Sequence, residues 1–229
     1  MGDIHGRLDL VREMVQIIAE DARGSKEGSR RLIFLGDYVS RGSDSRGVID
    51  YLLELEIPGF ETVFLKGNNE ACLLRFAAGD LDVGALWLAN GGLEVLRSYG
   101  VTVSSSARPD RRRLAALSEQ FARRLPRAHL EFLRGLPLCD VLGDYYFVHA
   151  GIRPGVALDD QSEHDQLWIR DRFRESERDH GAVIVHGHVT VSEVEVRRNR
   201  IGIDTGAWKS GKLSCLVLEE DRLRFLHTG

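Results

Sequence analysis

The sequence predicts an α/β protein with two sheets and one site between them, on three observations. Strand-like apolar runs alternate with helical stripes through the first half. Short β-rich runs separated by turns fill the second half. The strand ends of both halves carry Asp, His or Asn next to glycine. A chain of 229 residues can bury one sizeable core. A boundary near residue 135 is conceivable, but functional residue types fall on both sides of it, so a single domain over 1–229 fits better.

The elements follow in order. Leu8, Val11, Val15 and Ile18 repeat at helical spacing. RRLIFLGD (30–37) is a short apolar run ending in Gly-Asp and reads as a buried strand. Val48, Ile49, Leu52 and Leu53 form the next helical stripe, and ETVFLKGN (61–68) is another strand ending in glycine and a polar residue. Open α/β sheets place their ligands at such carboxyl ends. A helical stretch follows over roughly 70–135, with Pro126 as a first-turn proline. SSSARPDRRR (104–113) reads as an exposed connection whose Arg run is solvated surface. YYFVHAG (145–151), AVIVHGH (182–188), EVEVRRN (193–199), RIGIDTG (200–206), KLSCLVLEE (212–220) and LRFLHTG (223–229) are predicted to form a second, partly antiparallel sheet. There is no internal repeat and no low-complexity tract.

Composition narrows the class. Apolar residues make up 43% and charged residues 29%, which is globular rather than disordered. A net charge of −4 gives no reason to expect nucleic acid or an acidic membrane as partner. The three cysteines, Cys72, Cys139 and Cys215, are far apart and outside any CxxC, which points to a reducing compartment. With no membrane-span-length apolar stretch and no apolar signal region, the expected location is cytoplasmic.

The chemistry lies at the strand ends. Asp3 and His5 stand in GDIHGR, Asp37 in GDYVSRG, Asn68 in GNNE, His149 in HAG and His188 in HGH, each within two residues of a glycine. Carboxylate, imidazole and amide oxygen suit divalent ions such as manganese, iron or zinc. One carboxylate between two ligand groups is a natural bridge, and two ions so held clamp a phosphoryl group and lower the pKa of a bridging water. Arginines complement such a site because guanidinium grips phosphate oxygens in bidentate fashion. Arg41 follows Asp37 closely, and Arg170 ends LWIR. Singly, each piece has a plainer reading: an Asp after Gly is often a helix cap, and His149 could be a satisfied core histidine. Five Gly-flanked strand ends with ligand-type residues rarely coincide.

GDIHG, GDYVSRG, GNNE, HAG and HGH, in this order, resemble the phosphoprotein phosphatase branch of the calcineurin-like metallophosphoesterases. The bacterial and phage-lambda type is nearest, with LWIR and IGIDTGAW downstream. The resemblance spans nearly the whole chain. It implies a four-layer αββα sandwich of two mixed sheets with two divalent ions between them, manganese first and iron or zinc as alternatives. It also implies that Asp3, His5 and Asp37 hold one ion. Asp37, Asn68, His149 and His188 would hold the other, while Arg41 and Arg170, with Asn68, bind phosphate. His186, two residues before His188, is expected to support the ligands from behind; His164 and His180 read as surface residues. In relatives a buried strand leads into GDIHG, so the expectation is that the sequence lacks this leading strand.

Two departures bear on the chemistry. The family patterns GDxxDRG and GNHE supply an Asp–His pair, in which His is the general acid and Asp orients it. Those positions are Ser40 and Asn69 here. An amide does not titrate near neutral pH, though it can still hydrogen-bond a phosphate oxygen or orient a water. Losing a general acid typically costs on the order of 10²–10⁴ in rate, whereas metal and arginine terms are usually larger in phosphoryl transfer. Val189-Thr190 after HGH, where Thr-Pro is usual, reads as a packing change. The leading expectation is a serine/threonine-phosphatase-type phosphomonoester hydrolase acting on a phosphoprotein or small phosphoester. The alternatives are a symmetric dinucleoside tetraphosphate hydrolase and a metal-loaded phosphate-binding pseudophosphatase.

Overall fold

The computed structural model describes residues 1–23, 28–103, 110–220 and 222–229. Helix α1 (Leu8–Ala22) buries Leu10, Val11, Met14 and Ile18 on one face. Strands β1 (Arg30–Phe34) and β2 (Phe60–Phe64) pair in parallel, Arg30 opposite Phe60. Between them runs α2 (Ser45–Leu53), whose first turn is capped by Asp44, the carboxylate accepting from the Gly47 amide at 2.9 Å.

On its other side β1 meets the start of the chain. The Leu35 amide donates to the Met1 carbonyl at 3.0 Å, and the Met1 ammonium donates to the Ile33 carbonyl at 2.6 Å. The Gly2 amide donates to the Ser214 carbonyl at 3.0 Å. Met1–Gly2 thus bridges β1 to β8 (Ser214–Glu219), which pairs antiparallel with β9 (Arg222–His227). The last two strands therefore stand with β1 and β2, not in the second sheet as predicted. Their alternation shows that they are strands, but their sheet is chosen by a bond to Gly2 at the far end of the sequence.

The second sheet has the order β3-β4-β5-β7-β6. Strands β4 (Tyr145–Val148), β5 (Val183–His186) and β7 (Arg200–Gly202) are parallel. At the edges, β3 (Cys139–Leu142) and β6 (Glu195–Val196) are antiparallel. The sequence reading missed β3, an edge strand whose Val141 and Leu142 face solvent and break the expected pattern.

Ile33, Leu35 and Leu65 meet Phe147, Val185, Ile201 and Ile203 between the sheets. Tyr146, Val148 and Ile184, which alternate with those residues, face outward onto Ile169 and Phe173 in the segment of α8 (Glu163–Trp168) and α9 (Asp171–Arg174). The opposite layer is helical: α1, α2, α3 (Asn68–Ala77), α4 (Leu81–Trp87), α5 (Leu93–Ser98), α6 (Arg111–Arg124) and α7 (Arg127–Gly135). Phe76, Phe121 and Tyr99 lie at its centre. The layers are helix, sheet, sheet, helix, as expected.

Two local details differ from expectation. Asp110 caps α6 by accepting from the Arg113 amide at 2.8 Å, so Arg111–Arg113 open a helix rather than ending a loop; 104–109 lie outside the described residues. Pro126 sits at the cap of α7 with an extended ψ of 146°, one position before the first turn. Among the described residues, no helix is long and apolar enough to cross a membrane.

Candidate metal centre

All six ligand-type residues converge where the two sheets present their strand ends. Asp37 follows β1, Asn68 opens α3 after β2, His149 follows β4 and His188 follows β5. Two glycines let the loops approach closely. Gly36 has φ +97°, and a Cβ on it would lie 2.5 Å from the Gly67 nitrogen. A Cβ on Gly67 would in turn collide with Asp37. Glu70 ties the two loops together. Its carboxylate accepts from the amides of Gly67 at 2.8 Å, Asp37 and Tyr38 at 2.9 Å, and Val39 at 3.2 Å.

The backbone here is under strain. His5, Asp37, Ser40, Arg41 and His188 all have positive φ, between 49° and 78°. Among the described residues only Glu220 is a further non-glycine of this kind. Left-handed non-glycine residues cost free energy and cluster where geometry serves function. Their coincidence with the predicted site residues is independent of any sequence motif.

The donors form two groups that share Asp37: Asp3, His5 and Asp37, and Asp37, His149 and His188. Within each group one donor atom per residue lies within 4.8 Å of the others. Asn68 joins the second, its Oδ1 lying 2.9 Å from His149 Nε2 and 3.0 Å from His188 Nδ1. Two imidazoles are held from behind. The Val39 carbonyl accepts from His5 Nδ1 at 3.0 Å, and the Leu35 carbonyl from His149 Nδ1 at 2.9 Å. A carbonyl can only accept, so Nδ1 of each ring carries a hydrogen and Nε2 is the nitrogen left facing inward, 3.5 Å from an Asp37 oxygen.

The charge distribution calls for cations. Asp3, Asp37, Glu70 and Asp204 are all buried, and uncompensated carboxylates are costly there. Burial, then Asp204 and Asp37, push the Asp3 carboxyl well above its usual range. Burial would raise Asp37 too, but His149, His5 and His188 hold it at about 2. Glu70 is pushed up to about 8 by burial and by Asp37. His188 is driven down to about 3, first by burial and then by His149, so its ring is neutral. Carboxylates and imidazoles around a shared Asp37 fit a pair of divalent ions.

The arginines flank this cradle. Arg170 is exposed and its Nε lies 3.3 Å from His188 Nε2. The Arg41 amide donates to the Gly91 carbonyl at 3.1 Å, and its guanidinium lies 5.1 Å from the centre of the Trp208 ring. Ser40 and Asn69 are both present at the site, but they turn to different partners. Ser40 Oγ lies 3.2 Å from His5 Nδ1. The Asn69 side chain donates to Asp37 Oδ2 at 2.8 Å.

His186 is a correction. It shares the outward face of Ile184, its ring edge-on to Phe173 at 5.1 Å, and burial drives it down to about 4. It is a core histidine on the outer face of the second sheet, not a prop for the ligands. His180 is half-buried against Phe173 rather than on the surface. Sequence reasoning missed Glu70, Asp204 and the tryptophans. Asp204 accepts from Thr190 Oγ1 at 3.0 Å and from the Gly206 amide at 2.9 Å. Trp87 donates to Asn69 Oδ1 at 3.2 Å, and Trp168 stands edge-on to His188 at 6.3 Å. Asp204 and Trp208 lie inside IGIDTGAW, so the motif marked their place if not their role.

A two-sheet sandwich with this Asp–His–Asn cradle and flanking arginines defines a phosphoesterase of the metal-dependent class. The chain belongs to the calcineurin-like phosphoesterase family, whose pattern it matches over residues 1–221. It is similar to the asymmetrical bis(5'-nucleosyl)-tetraphosphatase PrpE of Anoxybacillus flavithermus, at 26% identity over 96% of this chain and 89% of that one. It is also similar to serine/threonine-protein phosphatase 2 of Escherichia coli, at 27% identity over 93% of this chain and 89% of that one. The fold matches the crystal structure of a putative diadenosine tetraphosphatase with a TM-score of 0.64, at 21% identity over 99% of this chain and 90% of that one. A cold-active protein tyrosine phosphatase matches with a TM-score of 0.62, at 18% identity over 97% of this chain and 73% of that one. The family uses divalent metals, and the resemblance read from the motifs holds.

Proposed function

We propose that the protein hydrolyses phosphomonoesters at a pair of divalent ions, manganese by preference. Asp3, His5 and Asp37 hold one ion, and Asp37, Asn68, His149 and His188 hold the other. The observation that carries this reading is the sharing of buried Asp37 by two donor groups. Such ions supply Lewis acidity toward phosphoryl oxygen and acidify water. The chain's own residues do the rest. Arg41 and Arg170 present guanidinium groups to the phosphoryl oxygens, and Trp208 holds the Arg41 head by its ring face. The sheets exclude water from behind the cradle. Neither Ser40 nor Asn69 can pass a proton to a leaving oxygen and take it back near neutral pH, so good leaving groups suit this site best.

A second reading, hydrolysis of dinucleoside polyphosphates, is favoured by the names of the PrpE relatives, at 26% identity. A panel of phenyl phosphate, a phosphoserine peptide and a dinucleoside tetraphosphate, each with manganese, separates the two. Turnover of the phenyl ester above the others supports the first reading. Preference for the dinucleotide replaces it with the second, and phosphate binding without turnover of any replaces both with a binding role.

A further inference from the structure

Asn69 grips Asp37 with two donors. Its amide N–H donates to Oδ1 at 3.0 Å and its side-chain Nδ2 to Oδ2 at 2.8 Å, so one residue engages both oxygens of the carboxylate. A side-chain amide can face either way, and only one way serves: Oδ1 turned toward Asp37 would repel it. Trp87 enforces the choice. Its indole N–H can only donate, and it donates to Asn69 Oδ1 at 3.2 Å. Both side chains are buried. The indole is itself fixed, with Phe76 at 5.7 Å on one side and Gly92 against its ring, where a Cβ would sit 2.6 Å from Cδ2.

We infer that Trp87 and Asn69 are positioning residues for Asp37: the indole sets the amide, and the amide sets the carboxylate shared by the two donor groups. Position 69, where the resemblance would place a proton donor, here serves ligand geometry. The inference rests on the proposed reading that Asp37 is held in common by two ions. Partners that orient metal ligands typically contribute about 10–100-fold to metal affinity.

The test is manganese binding to the intact protein, followed by calorimetry and by the paramagnetic signal of free Mn(II), with no substrate present. Asn69→Ala should weaken binding at least 10-fold. Trp87→Phe, which keeps the ring and removes the N–H, should weaken it severalfold, and should have no further effect in an Asn69→Ala background. Should Asn69→Ala fail to fold, Trp87→Phe alone decides. Wild-type affinity in the folded variants, or a Trp87→Phe effect undiminished by Asn69→Ala, overturns the inference. Asp37→Asn is the control. If it still binds two ions tightly, the shared role of Asp37 fails, and this inference with it. If it loses manganese while Asn69→Ala and Trp87→Phe do not, only the positioning role fails.

Discussion

At the scale of single residues, the absence of a titrating group at positions 40 and 69 sets the expected substrate range. A serine alkoxide leaves as a strong base and needs a proton in the transition state, whereas a phenolate, whose conjugate acid has a pKa of about 10, needs it far less. The rate should therefore fall steeply with leaving-group pKa across substituted phenyl phosphates, with phosphotyrosine ahead of phosphoserine. Equal rates on alkyl and aryl esters would mean that another group supplies the proton. Rebuilding the pair with Ser40→Asp and Asn69→His should flatten that slope, but at the cost of manganese affinity, because Asn69 is bonded to Asp37 and Ser40 lies against His5. Arg41→Ala and Arg170→Ala should each weaken inhibition by inorganic phosphate several-fold while leaving bound manganese unchanged; unchanged inhibition in both would make these arginines structural. The candidate ligand residues were legible because each sits in a short local pattern with glycine. The roles of Glu70, Trp87 and Trp208 were not, because each acts through a contact that only the folded chain creates.

At the scale of elements, the crossing of the β1 and β2 loops is the feature most exposed to mutation. Glu70→Gln keeps the shape but exchanges one acceptor oxygen for a donor facing backbone N–H groups. Burying such an unsatisfied group costs about 1–3 kcal/mol, so the midpoint of urea unfolding should drop by a corresponding amount. Gly67→Ala should do more, since its Cβ collides with Asp37: both stability and manganese binding should fall together, and a variant with normal metal content would show that the loops can separate freely. The pattern that revealed β1, β2, α1 and α2 is local: apolar runs ending in glycine for the strands and helical stripes for the helices. It placed β8 and β9 in the second sheet, because their true placement depends on Gly2, and it overlooked β3, because an edge strand with an exposed Val141 and Leu142 does not alternate cleanly.

At the scale of the whole molecule, the site draws on both sheets, so whatever fills it joins them. Ions that bind only the folded chain stabilise it by about 4 kcal/mol at a thousand times their Kd. For a chain of this size that is a rise of about 10 °C in melting temperature. Scanning calorimetry with manganese and with a chelator should show that gain, and Asp37→Asn should abolish it; a chelator-insensitive melting point would mean that the sheets hold together without help. The α/β class with two sheets was legible from the alternation of strand and helix, and the four-layer order from the family resemblance. The clustering of buried carboxylates around the site was not, because Asp204 and Glu70 look like ordinary polar residues in the sequence.

The three tryptophans of the chain border the same cradle: Trp87 reaches Asn69, Trp168 stands against His188, and Trp208 lies under Arg41. The intrinsic tryptophan emission of the protein is therefore the emission of this candidate site. Without any label, its colour and intensity register what enters the cradle, and acrylamide quenching separates the sealed indole of Trp87 from the wetter rings at the rim.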